Sequence, residues 1–340
     1  MKVNAIGLEL IKDKLLKLPN IKKYETIYNT GNNYVMNVEM DDGYRFNINV
    51  YLFDIVYPSI IMNYLKSQEE KQENNVIVAP YISERTAKIC EDNELGYFDY
   101  SGNSYFLGHS IYILEKGNKN LQPKEYKSIS IFDKNAIVSS CIIRELLVDV
   151  TKIWKIKYLS EKVNCSIGQV SKLMKVLVEN AWVEKSQEGY KLVDPESLLQ
   201  EWCKEYSKKE IESYKCYSLD DVSIIEERLK KLKDDKRIDY YLTGFAGGVR
   251  YAPVVRYNKI HIYISPENVK EAINYLGLKE VESGSNVAII PLENNSYIKD
   301  SRVIDGSMVV SPVQIYLDCM QIKGRGQEMA DAVLKKEIIK

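Results

Sequence analysis

The sequence predicts an α/β (α+β multidomain) chain with a winged helix-turn-helix at its middle, on the strength of three observations. The 340 residues exceed what one ordinary core buries and suit two or three domains. With 45% hydrophobic and 28% charged residues, the composition is that of folded rather than disordered protein. Helical and two-residue periodicities alternate along the chain and divide it into residues 1–128, 129–206 and 207–340.

In the first stretch, GLELIKDKLLKL (7–18) puts Leu8, Ile11, Leu15 and Leu18 on one helical face, and Pro19-Asn20 stops it. Strands are expected at Tyr24–Tyr28, Tyr34–Met40 and Tyr44–Phe53, separated by turns at 30–33 and at Asp41-Asp42-Gly43. A helix at Ser59–Gln68, a buried strand at Val76–Ala79, a helix over Ser83–Asn93 and an extended run YFDYSGNSYFLG (97–108) complete a small sheet with helices packed over it. That order resembles the restriction-endonuclease-like fold. Its active members carry an acid on one core strand and an acid-x-lysine on the next, to hold magnesium and support the attacking water. The signature fails here. Asn47-Ile48-Asn49 stands where acid-x-lysine would fall, and Glu25, Glu39, Asp41 and Asp54 have no lysine at the required spacing. The resemblance thus implies a degenerate domain without catalysis, and a metal-dependent nuclease with unrecognised acids stays as the alternative.

From Leu121 to Ser130 periodicity is lost, as in a linker. Residues 134–150 then predict a supporting helix with Ile137, Cys141, Ile142 and Leu146 inward and Arg144 on the exposed side, within reach of a phosphate. Next comes the helix-turn-helix: a first helix from Ile156 to Val163, a turn at Asn164-Cys165, and a second helix from Ser166 to Asn180. Ser166 and Gln169 have the spacing of a capping box. Ile167, Val170, Leu173, Met174, Leu177 and Val178 make the apolar face of the second helix, with Lys172 and Lys175 opposite. Trp182–Lys185 and Gly189–Lys191 read as the wing hairpin. Eight lysines against four glutamates over 151–191 give +4, in a chain whose total is −1. Such a local basic element suits a module that touches phosphates. The DNA-facing candidates are Ser166, Gln169, Ser171, Lys172 and Lys175, with Lys185, Tyr190 and Lys191 on the wing. Asp194-Pro195-Glu196 opens a helix that closes this stretch near residue 206.

In the third stretch, residues 218–236 form a charged helix with Val222, Ile225, Leu229 and Leu232 as its apolar stripe. The run YYLTGFAGGVRYAPVVRYNKIHIYIS (240–265) resembles the opening of a nucleotidyltransferase-like fold, where a glycine turn precedes a strand bearing paired acids. Gly244, Gly247 and Gly248 remain as a possible nucleotide groove, but the following strand is Lys259-Ile260-His261-Ile262-Tyr263 and offers no acid pair. His261 reads as a satisfied structural histidine. Near the end, Ser311, Pro312 and Gln314 make a second capping box, and Gly324-Arg325-Gly326 turns into a last helix with Met329, Val333 and Leu334. Asp318 and Arg325 are expected to form a salt bridge, at the surface or between domains, with a functional pair as the alternative.

Two runs carry a family resemblance. VIVAPYISERTAKICEDNELGYFDYSGNSYF (76–106), with "APYIS" then "YFDYSGN", resembles the N-terminal portion of AbiEi-family antitoxins of type IV toxin-antitoxin systems and related regulators. VVSPVQIYLDCMQIKGRGQEMADAVLKKEIIK (309–340), with its "SPVQ", "LD" and "GRG", is similar to the same family. The resemblance implies a DNA-binding antitoxin that represses its own operon and counteracts a cognate toxin without a tight complex with it.

Composition narrows the remaining classes. The N-terminus is interrupted by charge every few residues, so neither a secretory core nor a membrane span is expected, which points to the cytoplasm. Six cysteines without a CxxC pair and only two histidines, His109 and His261, argue against a disulfide frame or an imidazole-based metal centre. Tyrosine outnumbers phenylalanine 26 to 6, but the tyrosines are spread along the whole chain, as in an AT-rich coding sequence rather than a base-stacking platform. No catalytic residue, metal or cofactor is assigned. The expected partners are double-stranded operator DNA and a second copy of the chain in a homodimer.

Overall fold

The structure, a computed structural model, describes residues 2–18, 20–30, 33–67, 74–121, 130–133, 135–208 and 212–339. Pro19, the turn residues Gly31 and Asn32, the charged run after the second helix and most of the expected linker lie outside them. Two compact units form, one of residues 1–127 with 178–181 and one of 128–177 with 182–340.

The first unit contains α1 (Lys2–Leu16), β1 (Ile21–Thr30), β2 (Asn33–Met40), β3 (Arg45–Leu52), α2 (Pro58–Ser67), β4 (Asn75–Ala79), α3 (Glu84–Asp92), β5 (Gly96–Asp99), β6 (Ser104–Gly108) and β7 (Ile111–Glu115). The seven strands lie in sequence order in one sheet. β3, β4 and β5 run parallel, and antiparallel pairs extend both edges. Every residue of β4 is buried, as suits a central strand covered on both faces. Ile11 and Leu15 of α1 pack with Met36, Val38, Ile48 and Val50 on one face. Ile61 of α2 and Ala87 and Cys90 of α3 pack with Ile77 and Tyr97 on the other. The alternation in β2 and β3 that announced the strands is the alternation of burial in the sheet.

The run 97–108 turns at Ser101-Gly102-Asn103, as those turn-forming residues suggest, and so makes a hairpin; the one further strand, β7, was not anticipated. Asp99, fully buried, makes the bend: its carboxylate accepts from the backbone N–H of Ser101 and of Asn103, each at 2.9 Å, and from Asn103 Nδ2 at 2.8 Å. Ser83 caps α3 by accepting from Thr86 N–H at 3.2 Å.

The second unit opens with α4 (Ile137–Val148), β8 (Ile153–Trp154), α5 (Ile156–Val163), α6 (Ile167–Glu179), β9 (Val183–Lys185), β10 (Tyr190–Leu192) and α7 (Pro195–Tyr206). It continues with β11 (Tyr214–Tyr217), α8 (Val222–Lys236), β12 (Tyr240–Thr243), α9 (Gly244–Tyr251), β13 (Ile260–Ile264), α10 (Val269–Tyr275), β14 (Lys279–Glu280), β15 (Val287–Pro291), β16 (Arg302–Ile304), β17 (Ser307–Val309), α11 (Pro312–Cys319) and α12 (Gly326–Val333). β8, β10 and β9 make a small sheet, and the C-terminal strands make a mixed sheet in the order β14-β11-β15-β13-β12-β17-β16.

α4 corrects an expectation. Arg144, read as exposed, is 1% exposed, while Ile137, read as inward, is 50% exposed. Consecutive residues from Ile142 to Leu147 are all buried, which a helix shows when neighbours cover it on several sides. Here α5 covers one side and the segment around residues 295–298 another.

Candidate nucleic-acid interface

α5 and α6 are joined by Asn164 in the left-handed conformation (φ 55°, ψ 55°), which ends α5 and turns the chain sharply. Ser160 Oγ donates to the Cys165 carbonyl at 2.6 Å and stiffens that turn. The expected capping box is present. Ser166 N–H donates to Gln169 Oε1 at 3.0 Å, and Gln169 N–H donates to Ser166 Oγ at 3.2 Å. These two side chains therefore hold the start of α6, and of the Gln169 carboxamide it is the Nε2 that stays uncommitted to the cap.

Val170, Leu173, Met174 and Leu177 of α6 are buried, whereas Ser166, Gln169, Ser171, Lys172 and Lys175 are exposed together on the other side. Ile167, assigned to the apolar face from its spacing, is 56% exposed, because it sits in the first turn beyond the reach of the supporting helices. Val178 is half-buried.

The strands expected as the wing hairpin lie in a three-stranded sheet. The sequence reading identified β9 and β10 but missed β8, which pairs Trp154 with Tyr190 and Ile153 with Lys191. Gly189 permits this pairing. At φ +149° it adopts a conformation that disfavours side chains, and a Cβ there would lie 2.6 Å from the Trp154 carbonyl oxygen. Lys185 and Lys191 are exposed, Tyr190 is half-buried, and Lys185 Nζ stands 5.8 Å from the Tyr190 ring centroid. Lys155, which precedes α5, and Lys157 in its first turn are exposed as well. Lys152 stacks over Trp154 and Tyr158, 4.3 and 4.5 Å from their centroids. The sequence contained these lysines only as part of a net charge.

The nominal catalytic positions hold other structures. Asn37 Nδ2 donates to Asn47 Oδ1 at 3.1 Å and Asn49 Nδ2 to Asn75 Oδ1 at 3.0 Å, so asparagines bridge β2, β3 and β4 where acid-x-lysine would stand. Glu39 is taken up by Lys22 and Arg45 at 2.9 and 2.7 Å. Among the described residues, no three His, Cys, Asp or Glu side chains are grouped to hold a metal ion.

The glycines read as a nucleotide groove lie in a packed junction. A Cβ on Gly247 would meet Ile315 Cδ1 at 2.5 Å and the Leu242 carbonyl oxygen at 2.8 Å, and one on Gly248 would meet Met329 Sδ at 2.6 Å. They let α9 approach α11 and α12 closely. Gly244 (φ +56°) makes the turn from β12 into α9 against His261. Burial pushes the His261 pKa down to about 4, with Lys259 adding to the shift, so its imidazole is neutral. It is not satisfied as expected: its buried Nδ1 has no hydrogen-bond partner among the described residues.

Asp318 and Arg325 do not pair. Arg325 binds Glu328 and the Val254 carbonyl. Asp318 is buried and accepts from Thr243 Oγ1 at 2.5 Å, Tyr206 OH at 2.7 Å, Gln314 Nε2 at 2.8 Å and Tyr263 OH at 2.9 Å. Desolvation raises its pKa, and those four donors work against the shift. Gln314 carries the network to Arg144, whose Nη2 donates to Gln314 Oε1 at 2.6 Å. The Arg144 guanidinium also lies 5.1 Å from the Trp202 ring centroid.

No helix among the described residues is long and apolar enough to cross a membrane. No curated protein and no solved structure matches the chain. A family model does match over residues 191–339, and the matched region contains the whole C-terminal sheet, α11 and α12 but not the 76–106 run. Residues 191–339 are thus similar to the family described as a transcriptional regulator, the AbiEi antitoxin of a type IV toxin-antitoxin system, the family that the closing run of the sequence resembles.

Proposed function

We propose that the protein is an autorepressing type IV antitoxin that binds operator DNA through its winged helix. The observation that carries the reading is the exposed side of α6, where Gln169, Ser171, Lys172 and Lys175 lie away from the buried Val170, Leu173, Met174 and Leu177. In this reading α6 enters the major groove. Gln169 Nε2 and Ser171 meet base edges, Ile167 offers an apolar contact to a thymine methyl, and Lys172, Lys175, Lys185 and Lys191 neutralise phosphates. Tyr190 and Ser166 support the wing and the start of α6.

A single winged helix binds one half-site, so a homodimer on a two-fold operator is part of the proposal. So are a cytoplasmic location, an indirect action on the toxin, and the absence of catalysis in a degenerate endonuclease-like N-terminal unit and a nucleotidyltransferase-like C-terminal region. The asparagine bridges across β2, β3 and β4 support the last point.

The test is an anisotropy titration of the full chain against its own upstream DNA and a scrambled duplex, at two salt concentrations and without magnesium. Tighter, salt-dependent binding to the upstream fragment is expected. Equal or absent binding to the two duplexes overturns the reading. The rival, a metal-dependent enzyme, predicts magnesium-dependent conversion of labelled DNA or nucleotide that Glu39→Ala or Asp54→Ala abolishes.

A further inference from the structure

Neighbouring residues of α4 reach different parts of the second unit. Arg144 enters the Gln314–Asp318 network against α11. Glu145, 1% exposed, meets two cations: Lys162 in the last turn of α5, with Nζ 2.7 Å from Oε2, and Lys299 of the C-terminal region, with Nζ 2.8 Å from Oε1. Both contacts are ion pairs at hydrogen-bonding distance. Burial alone would raise the Glu145 pKa, but the two ammonium groups outweigh it and hold the carboxyl below the usual range.

We propose that Glu145 is the positioning residue of the helix-turn-helix: one buried carboxylate that ties α5, through Lys162, to the C-terminal region, through Lys299. The functional consequence rests on the DNA-binding reading; the mechanical one does not. Lys162 lies two residues before Asn164, and the turn between α5 and α6 is fixed by that left-handed residue and by the Ser160–Cys165 bond. Whatever fixes α5 therefore fixes α6. Arg144 anchors the same turn of α4 to α11, so the carboxylate is held on a rigid base. A buried charge left without any partner is strongly destabilising. Sharing between two lysines means that either can be removed while Glu145 stays paired, which separates positioning from folding.

The experiment uses the full chain with Lys299→Met and Glu145→Gln. Amide hydrogen exchange over residues 156–179 is measured without DNA, with β12 and β13 as the internal control for global stability. Both variants are expected to exchange about tenfold faster over 156–179 with the control strands unchanged. Lys299→Met is also expected to weaken binding to the upstream duplex about tenfold with an unaltered salt slope, since no phosphate contact is removed. Unchanged exchange over 156–179 in both variants overturns the proposal, as does acceleration of equal size in the control strands. If the unmodified protein binds no duplex, the DNA reading fails, and the exchange data still decide the role of Glu145.

Discussion

Arg144 donates from Nη2 to Oε1 of Gln314 at 2.6 Å, and both side chains are buried, at 1% and 0% exposure. The same Gln314 donates from Nε2 to Asp318 Oδ1 at 2.8 Å, so a neutral amide relays between a buried cation and a buried anion. Desolvation moves the two charges in opposite directions, lowering the Arg144 pKa and raising that of Asp318. The amide is what makes their coexistence tolerable.

Replacing that relay tests it directly. Gln314→Leu roughly keeps the volume but leaves buried Arg144 Nη2 without its acceptor, while Asp318 Oδ1 loses one donor and keeps Tyr206 and Tyr263; the change should cost about 3 kcal/mol. Urea unfolding of the variant measures the cost. A loss below about 1 kcal/mol would mean that the network adds little beyond packing.

The glycines of α9 should rank by what a methyl group would strike. Gly247→Ala meets the Leu242 backbone oxygen at 2.8 Å, which cannot yield, whereas Gly248→Ala meets the flexible end of Met329. The first should destabilise by about 3 kcal/mol and the second by about 1 kcal/mol. Thermal melts of both variants show the order, and a reversed order contradicts the packing account.

Acid should weaken the fold through His261. Its pKa is about 4 in the folded chain against an ordinary 6.5. The folded state stays neutral where the unfolded chain takes up a proton, so stability is fully present above pH 6.5 and falls as pH drops toward 4. The loss amounts to about 3 kcal/mol at most. His261→Leu should flatten this part of the stability profile, and an unchanged slope removes His261 as the cause.

On DNA, Lys172→Ala should weaken binding to every duplex and lower the salt slope by about 1. Gln169→Ala should mainly reduce the preference for the upstream sequence. It also removes half of the capping box, so a fall in stability of about 1 kcal/mol should accompany it. Titrations at several salt concentrations separate the two effects. Equal affinity losses with equal slopes in both variants contradict the assigned roles.

The sequence by itself determined the helix pair α5 and α6: the bounds of α5, the capping box at Ser166 and Gln169, and the polar side that carries Lys172 and Lys175 follow from residue types and spacing within a few residues. It also determined the alternating strands β2 and β3, whose register of burial is local, and the family that the closing segment resembles. Tertiary structure alone decided that Arg144 is buried, because its partner Gln314 lies 170 residues away. It likewise decided that Gly247 and Gly248 serve close helix packing and that Asp318 ignores the nearby Arg325 for Gln314 on its own helix and three donors on other elements. Spacing reports which face of an element is apolar. It cannot report which distant element covers a polar side chain, and burial with partners, not residue type, fixes where such a charge ends up.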